Sequence, residues 1–144
     1  MAATSLDRNN TKKRGPIRQI VLDLAAAATG AAAIPVGTIV SVATPSAGAV
    51  RGADTATHIV MGVACQAADF AAGDRRIVVE RGIFNLGNDG TITAADVGGA
   101  CTVLDNQTVS KAATTTNDVI AGYITEVDAD GVWVDMTQAR IAAA

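Results

Sequence analysis

Hydrophobic and polar positions alternate most clearly near the end of the chain, from Val119 to Met136. Val119, Ala121, Tyr123, Thr125 and Val127 fall on one face of an extended segment. Ile120, Gly122, Ile124 and Glu126 fall on the other. Asp128-Ala129-Asp130-Gly131 then supplies a turn, and Val132, Val134 and Met136 alternate with Trp133 and Asp135. Period-two alternation with β-branched residues around an Asp-Gly turn predicts a β-hairpin. A weaker version of the pattern lies earlier, with Ile59 to Cys65, a polar stretch, then Ile77 to Glu80.

The remaining segments extend this picture. Strands are predicted at Ile17–Leu24, Val36–Val42, Ile59–Gln66, Ile77–Arg81 and Ile83–Leu86, with Gly82 marking a bulge. Ala49-Val50 adds a short strand. Ala25–Ala33 has the helical propensity of alanine, but Gly30 and Pro35 limit it to a loop with one helical turn. Asn88-Asp89-Gly90 reads as a hairpin turn into Thr91–Thr93. Then the pattern restarts. Val97–Val103 parallels Val36–Val42, Thr108–Ser110 parallels Ala49-Val50, Asp118–Glu126 parallels His58–Gln66, and Val132–Val134 parallels Ile77–Val79. Gly122 matches Gly62. Two copies are too few for a solenoid. They predict an all-β fold: a compact antiparallel β-barrel or β-clip-like domain built from two similar β-units, about 36–86 and 97–136, within a single β-domain over 17–144.

Charge separates the start of the chain from the rest. Residues 1–18 carry five basic groups (Arg8, Lys12, Lys13, Arg14, Arg18) and one acid (Asp7), a net +4; residues 19–144 carry six basic and thirteen acidic groups, a net −7. Residues 1–16 are therefore expected to form a basic extended N-terminal arm that leaves the β-body and docks on an acidic surface, a phosphate backbone or a neighbouring subunit. Gly15-Pro16 forms its joint, and Leu6 and Ile17 are its apolar anchors. The run from Leu24 to Val50 is uncharged and long enough to span a bilayer, but its prolines, glycines and many alanines read as strands and turns, so no membrane partner is expected.

Residues that could carry chemistry are few. His58 is the single histidine, so neither a His-pair metal site nor a Ser-His-Asp triad has support. Glu126, Asp128, Asp130 and Gly131 resemble part of a calcium loop, but Thr137 stands where its closing Glu belongs and strands flank it. Gly98-Gly99 lacks the Lys-Ser or Lys-Thr of a phosphate loop. Lys12-Lys13-Arg14 has no interleaved aromatics, so nucleic acid is not an expected partner. Cys65 and Cys101 form no motif and read as small buried hydrophobes. No catalytic residue, metal ligand or cofactor is assigned, and no enzymatic activity is expected.

The segments Pro35–Val40, Val60–Ala64 and Gly73-Asp74 leading to Ile77–Phe84 together resemble the capsid cement, or head decoration, proteins of tailed bacteriophages. Val97–Cys101, Ile120–Tyr123 and Val132–Val134 extend the resemblance over about residues 17–136. It implies a structural virion protein on the outer surface of a phage head. Its partners would be the major capsid protein and its own copies, as a homotrimer that clamps neighbouring capsomers. Arg8, Lys12, Lys13, Arg14, Arg18, Leu6 and Ile17 would then form the capsid or subunit contact. The basic arm departs from the short start of that family. Three other readings compete: a tail or baseplate β-module, a β-clip domain binding a small ligand around His58, Glu80 and Arg81, and a nucleic-acid binder using the arm.

Overall fold

A computed structural model describes residues 4, 12–43 and 47–137. Among the described residues nine strands form the body: β1 (Lys13–Asp23), β2 (Ile39–Val42), β3 (Ala49–Arg51), β4 (Ile59–Ala64), β5 (Arg76–Asn88), β6 (Ala100–Asp105), β7 (Thr108–Lys111), β8 (Ile120–Asp128) and β9 (Gly131–Asp135). Three single-turn 3-10 helices, Gly30–Ala32, Phe70–Ala72 and Ala94–Asp96, interrupt the loops. The fold is all-β, with a closed five-strand barrel and additional strands. The barrel runs β5-β7-β6-β8-β9 and back to β5; only the β5–β7 contact is parallel.

The two units repeat in their pairing as well as in their sequence. β2 pairs with β3 and β4, and β4 with β5. In the same way β6 pairs with β7 and β8, and β8 with β9. β5 serves both units. Ile20, Val21 and Leu22 of β1 face Val79, Val78 and Ile77 of β5. Phe84, Asn85 and Leu86 of β5 face Val134, Trp133 and Val132 of β9 in the same register. So β1 stands to the first unit as β5 stands to the second. Even the closing contact recurs, as a parallel bridge from Leu24 to Ala49 in one unit and from Asn88 to Val109 in the other.

Each unit has its own core. Leu24, Ala28, Ile34, Val40, Ala49, Ala64, Ala68, Ile77 and Val79 cluster in the first. Phe84, Leu86, Cys101, Val103, Val109, Ile124, Val132, Val134 and Met136 form the larger second cluster, which also takes in Ile39, Val60 and Val63 from the first unit. Alternate residues of β2, Ile39 and Val40, thus enter different cores, as period two requires.

Several expectations are revised. The alternation written for Val119–Glu126 changes phase, because Cys101 faces Gly122 while Thr102 faces Ile120. Ala121 is the extra residue of a β-bulge, so Ala121 and Ile124 are both buried. β4 has the matching bulge, between Val40↔Gly62 and Ser41↔Val60. Gly62 and Gly122 follow these bulges for a steric reason. A Cβ on Gly62 would collide with the Glu80 carbonyl and lie 2.8 Å from Val79 Cγ1; on Gly122 it would collide with the Asp135 carbonyl and lie 2.8 Å from Val134 Cγ1. Gly82 does not break β5, which is one strand that changes partners there; the irregularity falls on β1, between Arg14 and Arg18. Thr91–Thr93 is not a strand. Asn88 Oδ1 instead accepts the Gly90 and Ile92 N–H groups, and Asp89 Oδ1 accepts the Thr91 N–H and hydroxyl. The side chains do there what a ladder would otherwise do. Cys101 is buried, Cys65 only half-buried, and the two form no disulfide with each other.

Candidate functional site

The first described strand begins four residues earlier than its apolar pattern indicates, at Lys13 instead of Ile17. Gly15 and Pro16 lie in its irregular stretch, where a missing N–H and a positive φ are tolerated. This start carries the basic residues along the chain's own body. Lys12 Nζ lies 2.8 Å from Asp130 Oδ2, and its backbone carbonyl accepts the Asn85 N–H at 2.9 Å. Lys13 Nζ donates to both Glu80 oxygens, at 3.0 and 3.1 Å. Arg14 pairs with Glu126, and its guanidinium stacks over the Trp133 ring, 3.7 Å from the centroid. A cation over an indole face gains from the ring quadrupole.

The β8–β9 turn holds the indole by its edge. Trp133 Nε1–H donates to Asp128 Oδ2 at 2.8 Å. Asp128 Oδ1 accepts the N–H groups of Asp130 and Gly131, at 2.9 and 3.1 Å. The Trp133 hydrogen bond, then the two backbone donors and the nearby Lys12 charge, hold the Asp128 carboxyl below its ordinary range. The hydrogen bond to Asp130, together with that carboxylate's charge, raises Lys12. Both Asp128 oxygens are occupied within the turn, so the residues that resemble a calcium loop act as an Asx turn that orients a tryptophan.

The structure thus sets Lys12, Lys13 and Arg14 against acids of the chain's own body, Asp130, Glu80 and Glu126 respectively, instead of leading them away from it. Ile17 packs against the second core, with Gly82 making room for its Cδ1. Arg18 stands opposite Arg81, a like-charged pair, and is exposed. Leu6 and Arg8 lie outside the described residues. Thr4, the described residue ahead of Lys12, is held through its backbone: its N–H donates to Asn106 Oδ1 at 2.9 Å, and Asn106 Nδ2 donates to its carbonyl at 2.7 Å. The opposite net charges of arm and body were visible in the sequence. The particular acids, and Trp133 as a platform for Arg14, were not, because nothing local to residues 12–14 points 112 residues away.

The chain matches no protein-family model, and no curated protein or solved structure is significantly similar to it.

The residues considered for a ligand site do not converge. A cleft of about 160 Å³ is lined by Ala33, Ile34, Pro35, Ala67, Ala68, Asp69 and Asp74. His58, Glu80 and Arg81 are not among them; Glu80 is engaged by Lys13, and Arg81 Nε approaches the Met136 carbonyl at 3.4 Å. His58 Nδ1 is buried without a hydrogen-bond partner among the described residues, and desolvation lowers the pKa of the ring. Among the described residues no group of three or more His, Cys, Asp or Glu could hold a metal ion, and no helix is long and apolar enough to cross a membrane.

Proposed function

We propose that this chain is a capsid cement, or decoration, protein: a structural virion protein that binds the outside of a phage head and clamps neighbouring capsomers. The observation that carries the reading is the run of glycine and strand positions from Val36 to Phe84 and its second copy from Val97 to Val134. These positions support a body of two units welded through β5, a stiff piece suited to bridging others. Stiffness matters in a clamp, because a partner that deforms loses binding energy to its own ordering. Repetition of the same modest contact over a shell gives strong attachment overall. The role needs no catalytic step, and none is assigned to any residue.

Two features of the structure bear on the competing readings. The cleft is below the roughly 300–1,000 Å³ usual for small-molecule sites. Three of the basic residues considered for nucleic acid are engaged by carboxylates of the same chain. The test is to mix purified protein with expanded, undecorated phage heads and image the pelleted particles. Saturable binding at regular positions on the shell is expected. Attachment to tails or baseplates instead would transfer the chain to the other virion reading. Absence from every particle would end both.

A further inference from the structure

The internal repeat shows which part of the first unit goes beyond what the fold needs. In the second unit, β8 and β9 are joined by two residues, Ala129 and Asp130. In the first, eleven residues, 65–75, join β4 to β5, the strands in the same places. The fold therefore closes without this longer loop, and surface loops on a rigid scaffold are where binding groups gather. The loop is nevertheless tied to the body. Ala68 and Ile34 bridge antiparallel, each N–H donating to the other's carbonyl, at 3.0 and 2.9 Å. Asp69 Oδ1 accepts the Ala71 and Gly30 N–H groups, and Asp74 Oδ2 accepts the Asp69 N–H at 2.9 Å.

The cleft of about 160 Å³ lies at this loop. Buried Ile34, Pro35 and Ala68 supply apolar lining, and Asp69 and Asp74 the charged lining. In each carboxylate one oxygen is spent on shaping the loop. The other, Asp69 Oδ2 or Asp74 Oδ1, accepts no hydrogen bond among the described residues, and neither aspartate has an ion pair there. The adjacent cation, Arg75, is turned elsewhere. Its Nη1 donates to the Phe70 and Asp74 carbonyls, at 2.8 and 2.9 Å, and its guanidinium lies over the Phe70 ring.

We propose that this cleft is a socket for one lysine side chain of a partner protein. The space suits a single side chain better than a free ligand. A lysine stem would cover the apolar lining while its ammonium meets the carboxylates. The carboxylates also select lysine over arginine. A guanidinium fork matches both oxygens of one carboxylate, and here each carboxylate has one oxygen already committed. An ammonium is a compact charge whose donors rotate, so it can join one oxygen from each of two carboxylates. That the lysine belongs to the shell rests on the capsid reading; the socket itself is a property of the free protein.

The test starts with the free protein. n-Butylamine, as its hydrochloride, reproduces the stem and head of lysine, and n-butanol the stem without the charge. Titrated at constant ionic strength, the amine should give saturable amide NMR shifts at Ile34 and Ala68, n-butylguanidine weaker ones, and n-butanol none. Asp69→Asn with Asp74→Asn keeps the oxygens that shape the loop and removes both charges, so the saturable shifts should vanish. No saturable shift with the amine would overturn the socket, as would an equal response from n-butanol or from the double variant. Equal binding of n-butylguanidine would overturn the choice of lysine. On undecorated heads the double variant should bind at least about tenfold more weakly than the native chain, because it leaves a charged partner unpaired. Asp105→Asn with Asp118→Asn removes the same charge from the second unit and should bind as the native chain does. Heads that bind the Asp69/Asp74 variant as well as the native chain would remove the socket from the shell contact. Heads that bind neither would contradict the capsid reading, and the amine titration would still decide the socket.

Discussion

At positions 62 and 122 a methyl group has nowhere to go. Both glycines sit where a bulged strand lets its backbone approach a neighbouring carbonyl, of Glu80 in one unit and Asp135 in the other. Gly62 has the further constraint of a positive φ of 145°; Gly122 does not, so it isolates the steric effect. Gly122→Ala should destabilise by about 1–3 kcal/mol, the usual range for overpacking, and Gly62→Ala by more. Urea denaturation checks both. Arg14→Ala removes a stacked cation and a half-exposed ion pair, so the expected loss is only about 0.5–1 kcal/mol. The more sensitive readout is a red shift of Trp133 fluorescence as water reaches the indole. His58 gives a pH prediction. Desolvation lowers its folded-state pKa, so the unfolded chain binds the proton more readily. The neutral ring's contribution is complete above the unfolded value of about 6.5 and is lost as pH falls through the folded value. His58→Gln should flatten the slope of stability between about pH 7 and pH 5; an unchanged slope would assign it to other groups.

At the scale of elements, the lead of β1 acts as a strap over the second unit. Lys12 satisfies the Asn85 N–H, and Arg14 covers Trp133. Deleting residues 1–14 should therefore speed hydrogen exchange at the Asn85 amide and expose the indole, whereas deletion of 1–11 should leave both protected. Equal exchange in the two truncations would mean that the strap protects nothing. The hairpin at Asp128–Gly131, the short strands Ala49–Arg51 and Thr108–Lys111, and the correspondence of Gly62 in one unit to Gly122 in the other were legible from turn chemistry and period-two alternation. The double use of β5 was not. Ile20-Val21-Leu22 and Phe84-Asn85-Leu86 occupy the same places, but an exposed valine and a buried asparagine share no sequence signal. The bulges were hidden too, since one inserted residue reverses the alternation from which they would be read. Gly15-Pro16 looked like the end of an arm because glycine and proline usually punctuate strands; here they occupy an irregular stretch of one.

At the scale of the molecule, a strand common to both units couples their cores. Ile77 of β5 lies in the first core and Leu86 of the same strand in the second. Ile77→Ala and Leu86→Ala should each cost about 2–5 kcal/mol. Each should also move a single transition reported alike by Trp133 fluorescence and far-UV circular dichroism. A Trp133 midpoint unmoved by Ile77→Ala would mean that the units unfold separately. The capsid reading depends on this stiffness and on a surface that fits a shell. Its most direct test is the thermal rupture of undecorated heads with and without the purified chain, at saturating concentration. The account predicts a rupture temperature that rises with the number of copies bound and then plateaus. Heads that bind no chain, or that bind it and rupture at the same temperature, would contradict it.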